Sequence, residues 1–153
     1  NAAESGKFII AGIIAADVFD ALYLTRLRIG SAITSIINQQ NVRRLCDHCK
    51  TKYQLSPQQM DDLFIFDGTP KVYAWRATGC TFCQNTGYHG HIGIHELLII
   101  NDDIKNLISH DAPPNEIKSQ STKLGFQSKE YDGIKKVLQG LTSFEEITSL
   151  HGN

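Results

Sequence analysis

The sequence predicts a mixed α/β chain in three parts: a piece of an α/β sheet, a small α+β lobe organised by four cysteines, and a helical tail. Three observations carry this. KFIIAGI (Lys7 to Ile13) is a near-continuous apolar run of strand length, as a central strand covered on both faces would require. Cys46 and Cys49 in LCDHCK, with Cys80 and Cys83 in GCTFCQ, form two matched Cys-x-x-Cys pairs. After Asn101 the chain is punctuated by cap residues, prolines and glycines at helix-like intervals.

At the start, residues 16 to 27 carry Val18, Leu22 and Leu27 at helical spacing. Gly30 breaks that helix, and Ser31 is placed to cap a second one running to about Gln40, with Ile33, Ile36 and Ile37 on one face. Asp17 and Asp20 are paired carboxylates at near-helical spacing; at a helix start they read as caps and solvated groups rather than a general acid and base. The chain begins at Asn1 without methionine and opens straight into a buried-looking strand pattern, which points to a piece of something longer.

Between the cysteine pairs, Ser56-Pro57-Gln58-Gln59 has the order of an N-cap, a first-turn proline and a capping-box partner, so a short helix with Met60 and Leu63 follows. Asp67-Gly68-Thr69-Pro70 turns the chain, and KVYAWRA reads as a strand delivering Cys80, with Tyr73 and Trp75 assigned to the core. A glycine-rich turn from Gly87 to Gly93 leads to a further strand, IGIHELLII. In the tail, Asn101 with Asp102 and Asp103 opens one helix, Pro113-Pro114 opens the next and Gly125 closes it. A third helix runs from about Ser128 to Gln139 with Ile134, Val137 and Leu138 inward and Gly140 beyond its end, and Thr142 to Glu145 reads as a capping box for the last, ending at Gly152.

A Cys-x-x-Cys turn aims two thiolates at one ion, and two such turns complete the four-sulfur tetrahedral shell of a structural zinc site. The expected ligands are Cys46, Cys49, Cys80 and Cys83, with no cysteine left over. Two disulfides would use the same residues in an oxidising compartment, but no secretory signal pattern is evident. An iron–sulfur cluster shares the ligand type, although the even pairing suits zinc better than ferredoxin spacing. The six histidines displace none of the cysteines; His48, inside the first turn, reads as solvated or as supporting the ligands, and His89 and His91 as exposed.

Formal net charge is −1, so the broad basic field of a nucleic-acid binder is absent, and Arg43, Arg44 and Lys50 are the only local basic cluster. A zinc module contacting nucleic acid is disfavoured for the same reason. The longest apolar runs fall short of the roughly twenty residues a membrane span requires. Membrane association would come through a partner.

The series NVRRLCDHCK, GCTFCQNTGYHGHIGIHELL and LGFQSKEYDGIKKVLQGLTSFEEI resembles the carboxyl-terminal part of the secretion-superfamily ATPases, those of type II secretion and of type IV pilus assembly. The resemblance runs from the first strand to Glu146. It implies that residues 1–42 end a RecA-like ATPase core, that 43–100 are a tetracysteine zinc-binding lobe, and that 101–153 are a C-terminal helical bundle. It further implies a parent bacterial ATPase that works as a homo-hexamer at the cytoplasmic side of the inner membrane, with a membrane platform protein and secretion or pilus machinery as partners, structural Zn²⁺ in this part, and ATP with Mg²⁺ only in the parent.

The family's phosphate-binding loop, acidic box and metal-binding aspartate box lie upstream of Asn1, so no catalytic or nucleotide-binding residue is expected here. Ser5-Gly6-Lys7-Phe8 is not the end of a P-loop: no strand precedes it and Phe8 has no hydroxyl for Mg²⁺. Against the family pattern, Ser5-Gly6-Lys7 and then Gly12-Ile13-Ile14 replace the two halves of the histidine box, Gln40 and His91 each stand where arginine is usual, and Arg26 matches. The loss of that box keeps a second expectation open, a stand-alone non-catalytic adaptor or effector that reuses the ATPase tail as a zinc-stabilised docking module.

Overall fold

The computed structural model describes residues 7–29, 32–63 and 71–151. The chain forms helix α1 (Val18–Ile29), strands β1 (Ser35–Leu45) and β2 (Thr51–Gln54), helix α2 (Pro57–Asp62), strands β3 (Tyr73–Arg76) and β4 (Tyr88–Ile99), and helices α3 (Asp102–Ser109), α4 (Pro114–Lys123), α5 (Lys129–Leu138) and α6 (Phe144–Thr148). Single 3₁₀ turns cover Thr81–Cys83 and Ser149–His151. β1 pairs with β4, and β2 pairs with β3. The fold class is thus mixed α/β with small sheets, as the sequence predicts.

The chain divides into two compact units, one of residues up to Asn38 with Glu96–Ser128, the other of Gln39–His95 with the chain from Lys129 onward. In the first unit, Val18 and Leu22 of α1, Leu98 and Ile100 at the end of β4, Ile104 and Ile108 of α3 and Ile117 of α4 share one core. The pairs Val18/Leu22 and Ile104/Ile108 are four apart, so each helix turns one stripe inward. Asp17 caps α1 by accepting the N–H groups of Phe19 (2.9 Å) and Asp20 (2.8 Å), and the buried Glu96 carboxylate accepts that of Val18 (2.9 Å). The free donors at this helix start are therefore filled by the chain's own carboxylates. Asn101 caps α3 in the same way, accepting from Ile104 N–H at 3.0 Å.

In the second unit, Val42, Leu55, Leu63, Ala74, Ile94, Val137 and Ile147 form the core. β2 and β3 run antiparallel, Thr51 opposite Arg76 and Lys52 opposite Trp75. Ser56 and Gln59 make the expected reciprocal capping box on α2. α5 ends at Gly140 (φ +71°), where Gly140 N–H bonds to the Val137 carbonyl (3.0 Å) and Leu141 N–H to that of Lys136 (2.9 Å), the paired closure that a left-handed residue permits. Gly133 lets α5 and α6 touch: a Cβ there would sit 2.8 Å from Ile147 Cδ1.

Several expectations are corrected. Lys7 to Ile13 is not a strand: residues 7–15 are irregular, and Phe8, Ile10 and Ile14 are largely exposed, since a strand buried on both faces needs neighbours on both edges and none lies there among the described residues. Where a helix running to about Gln40 is expected, the chain from Ser35 onward is instead the first half of β1. The β-branched Ile36 and Ile37 favour pleated backbone, and Ile36 packs inward while the adjacent Ile37 points out. The turn expected from Gly87 to Gly93 is mostly strand, because β4 begins at Tyr88 and absorbs Gly90 at φ +79°. Tyr73 is exposed and Trp75 half-buried; register puts Ala74, between them, into the core, while Trp75 lies against Gly140. Thr142 is not a helix cap: Ser143 holds that position and makes no side-chain cap bond, because its hydroxyl meets Tyr88 Oη at 2.8 Å. The expectations on Ser5-Gly6, Gly30, Ser31, Asp67 to Pro70, Gly152 and the Arg26 side chain fall outside the described residues.

Candidate metal centre

β1 ends at Leu45 and delivers Cys46, whose N–H donates to the Gly87 carbonyl (2.9 Å). The chain then turns so that Cys49 and Lys50 N–H both reach the Cys46 carbonyl, at 3.2 and 2.9 Å. The second knuckle is a 3₁₀ turn after Cys80, closed by Asn85 N–H onto the Cys80 carbonyl (2.8 Å). Its tight return uses left-handed backbone at Gln84, Asn85 and Gly87; at Gly87 (φ +78°) a Cβ would fall 2.5 Å from that of Ala77, so glycine is required.

These two turns bring Cys46, Cys49, Cys80 and Cys83 together, their four sulfurs all within 4.8 Å of one another. Individual Sγ–Sγ separations are 4.0 Å for Cys46/Cys80, 3.8 Å for Cys49/Cys83 and 3.7 Å for Cys80/Cys83. No disulfide joins them. A tetrahedral site with metal–sulfur bonds of ~2.3 Å has sulfur–sulfur edges of ~3.8 Å, so the donor set fits one thiophilic ion.

The electrostatics of Cys83 and Cys49 differ. Burial works against ionising Cys83, but the backbone N–H groups of Cys80 and Gly87, each 3.2 Å from its sulfur, and then the Cys80 and Cys49 thiols outweigh it and draw Cys83 down to about 6. Burial pushes Cys49 up to about 11 against a backbone bond from Gly79. The fold thus favours the thiolate at Cys83 and disfavours it at Cys49.

The histidines stay outside this cluster. The Phe82 ring lies between the His48 and His89 rings, 4.2 and 4.8 Å from their centroids, and all three side chains are exposed, as is His91. The basic cluster is internally paired. Asp47 takes Arg44 (2.8 Å) and Lys50 (2.6 Å), and this pairing, Lys50 foremost, holds its carboxyl below the usual range. Arg43 pairs with Glu146 (2.6 Å) and stacks over the Tyr88 ring at 4.1 Å.

Sequence reasoning missed the polar partners of the first knuckle: Asp47, Tyr88, Gly140, Thr142, Ser143 and Glu146. Only Asp47 carried a local signal, three residues from both Arg44 and Lys50. Asp17 and Asp20 are helix-end groups, as expected.

In this small α/β chain the four converging cysteines are the one cluster of side chains among the described residues that could hold a metal ion. The sequence pattern of the family described as "Type II/IV secretion system protein" matches residues 2–149, and the chain belongs to that family of secretion ATPases. It is 32% identical over 156 residues to the type IV pilus assembly ATPase PilB of Thermus thermophilus, covering 96% of this chain and 17% of that protein. It is 36% identical over 134 residues to the type II secretion system ATPase E of Vibrio cholerae, covering 81% of this chain and 26% of that protein. With the type II secretion system protein HxcR of Pseudomonas aeruginosa the identity is 33% over 119 residues, 78% of this chain and 22% of that protein. The chain therefore spans between 17% and 26% of the length of these relatives.

Proposed function

We propose that this chain is the carboxyl-terminal region of a bacterial type II secretion or type IV pilus assembly ATPase. In this reading residues 1–42 end the RecA-like core, 43–100 form a zinc-binding lobe, and 101–153 complete the tail. The observation that carries the reading is the family match across residues 2–149, which contains all four converging cysteines.

Cys46, Cys49, Cys80 and Cys83 would hold one Zn²⁺, which would supply a cross-link between two loops rather than a site for substrate. The chain's own residues do the rest: Gly87 and Cys80 N–H groups stabilise the Cys83 thiolate, and the Cys46 carbonyl shapes the first turn. The parent is a hexameric cytoplasmic motor that drives an inner-membrane platform and its secretion or pilus machinery, and the lobe serves it by rigidity and contact. No helix of the described residues is long and apolar enough to cross a membrane, in keeping with attachment through partners.

Phosphate recognition needs a glycine-rich loop leading into a helix and a carboxylate-held Mg²⁺. Neither motif is encoded here, and the start of α1 is filled by Asp17 and Glu96. The isolated chain is therefore expected to bind no Mg-ATP and to be monomeric. Calorimetric titration with Mg-ATP and light scattering test this; saturable micromolar binding would contradict the non-catalytic assignment, and a stable ring would place assembly determinants in this region.

A second reading is favoured by one observation: Lys7 and Ile14 stand where the family's histidine box has histidine. It makes the chain part of a degenerate, non-hydrolysing adaptor or effector. Sequencing upstream of Asn1 separates the two, since a phosphate-binding loop there supports the motor.

A further inference from the structure

Five residues of the stretch from Gly140 to Glu146 are fastened by hydrogen bonds to the first cysteine turn and its flanks. The Gly140 carbonyl accepts from Lys50 Nζ (2.9 Å), and that of Leu141 accepts from Leu45 N–H (2.9 Å). Thr142 Oγ1 donates to the Arg43 carbonyl (2.8 Å), and Ser143 Oγ meets Tyr88 Oη (2.8 Å). Glu146 accepts Arg43 N–H (2.9 Å) and its guanidinium (3.0 and 2.6 Å). Thr142 and Ser143 are wholly buried, so their two bonds are partly sheltered from water, whereas the Arg43–Glu146 bonds lie at the surface.

Every partner on the other side sits close to a cysteine. Arg43, Leu45 and Lys50 bracket Cys46 and Cys49, and Tyr88 follows Gly87, which bonds to both Cys46 and Cys83. The turn from Cys46 to Lys50 is held within itself by the bonds from Cys49 and Lys50 N–H to one carbonyl and by Asp47, which takes Arg44 and Lys50 at the surface. Lys50 links both sides, holding Asp47 within the turn and Gly140 beyond α5.

Part of the apolar support of α5 and α6 lies at the same place, beside Val42 of β1 and Ile94 of β4. Val137 and Ile147 rest in a core with Ala74 of β3, yet β2 and β3 share only four residue pairs, from Gln54/Tyr73 to Thr51/Arg76. A ribbon that short is marginal alone. Its Thr51/Arg76 end opens directly toward Cys49 and Cys80, where the knuckles tie the two strands together.

We propose that α5 and α6 are a metal-controlled element: occupancy of the four-cysteine site decides whether residues 129–151 are docked, and Lys50 carries the coupling to Gly140. The inference rests on the metal reading above. Any surface that α5 and α6 offer a partner then exists in the metal-loaded protein and is withdrawn when the site is stripped.

Hydrogen exchange on the whole chain, zinc-loaded and after chelation, tests this, with zinc content measured in the same samples. Stripping should lower protection across 129–151 by ~tenfold or more while 102–123 stays unchanged. Lys50→Met keeps the stem but not the donor; it should retain one equivalent of zinc yet show, when loaded, faster exchange at 139–146. Unchanged protection of 129–151 after verified zinc loss would overturn the coupling, as would equal loss at 102–123. A loaded Lys50→Met protein indistinguishable from the parent would remove Lys50 from that role. A chain that takes up no zinc would overturn the metal reading itself, and the zinc assay tells that result from failed coupling.

Discussion

Thr142 donates its buried hydroxyl to the carbonyl of Arg43, 2.8 Å away across 99 residues of sequence. The bond ties the approach to α6 onto β1 three residues before Cys46. Thr142→Val keeps the shape and removes the donor of a part-buried hydrogen bond, and should cost about 0.5–1.5 kcal/mol. Urea denaturation reads it directly; an unchanged midpoint would mean that water replaces the hydroxyl.

Acid should loosen the second unit. Burial pushes Glu146 up, but the hydrogen bonds and charge of Arg43 hold it below its ordinary value, and Asp132 is likewise lowered, by Lys136 and the His95 N–H against the effect of burial. A carboxyl depressed in the folded state contributes stability that is fully present above its unfolded pKa, near 4, and is lost as pH falls through the folded value. Stability should therefore fall below about pH 4.5, and Glu146→Gln should flatten part of that slope. A slope unaffected by the substitution would remove Glu146 from the account.

Gly133→Ala adds a methyl 2.8 Å from Ile147 Cδ1 and 3.3 Å from both Ile147 Cγ atoms. Alanine favours the helix by up to about 1 kcal/mol, yet Ile147 is fully buried and has little room to yield. Net destabilisation of about 1–2 kcal/mol is expected, recovered in part by Ile147→Val. Thermal melts of the two single variants and the double variant measure it, and a more stable Gly133→Ala protein would show that α6 shifts freely.

At the start of α1, Asp17→Ala removes a carboxylate that accepts two backbone N–H groups. A loss of about 1 kcal/mol is expected, with faster amide exchange confined to the first turn of α1. Exchange rising equally in α5 would contradict a local role.

Short-range chemistry was legible in the sequence. The Ser56/Gln59 box, the Asn101 cap, the glycine at the end of α5 and the spacing of the cysteine pairs depend on residues within a few positions of one another. What depended on distant partners was not. The Ile-rich stretch after Ser31 carries apolar residues that satisfy a helical face as well as a strand, and β4 decides between them by pairing with it. Lys7 to Ile13 has the composition of a central strand but no neighbour to hydrogen-bond to among the described residues. Thr142 and Glu145 match a capping box, yet the Arg43 carbonyl competes for the threonine hydroxyl from across the fold. Around the cysteines, the four sulfurs were expected to meet, whereas the links from Lys50 and Arg43 to residues 140–146 had no local signature.

Elemental analysis of the chain, purified without chelator, tests the central claim most directly. One equivalent of zinc per chain is expected, falling to near zero in Cys80→Ser. Less than about half an equivalent, an iron chromophore, or zinc retained undiminished in Cys80→Ser would contradict a closed site built from Cys46, Cys49, Cys80 and Cys83.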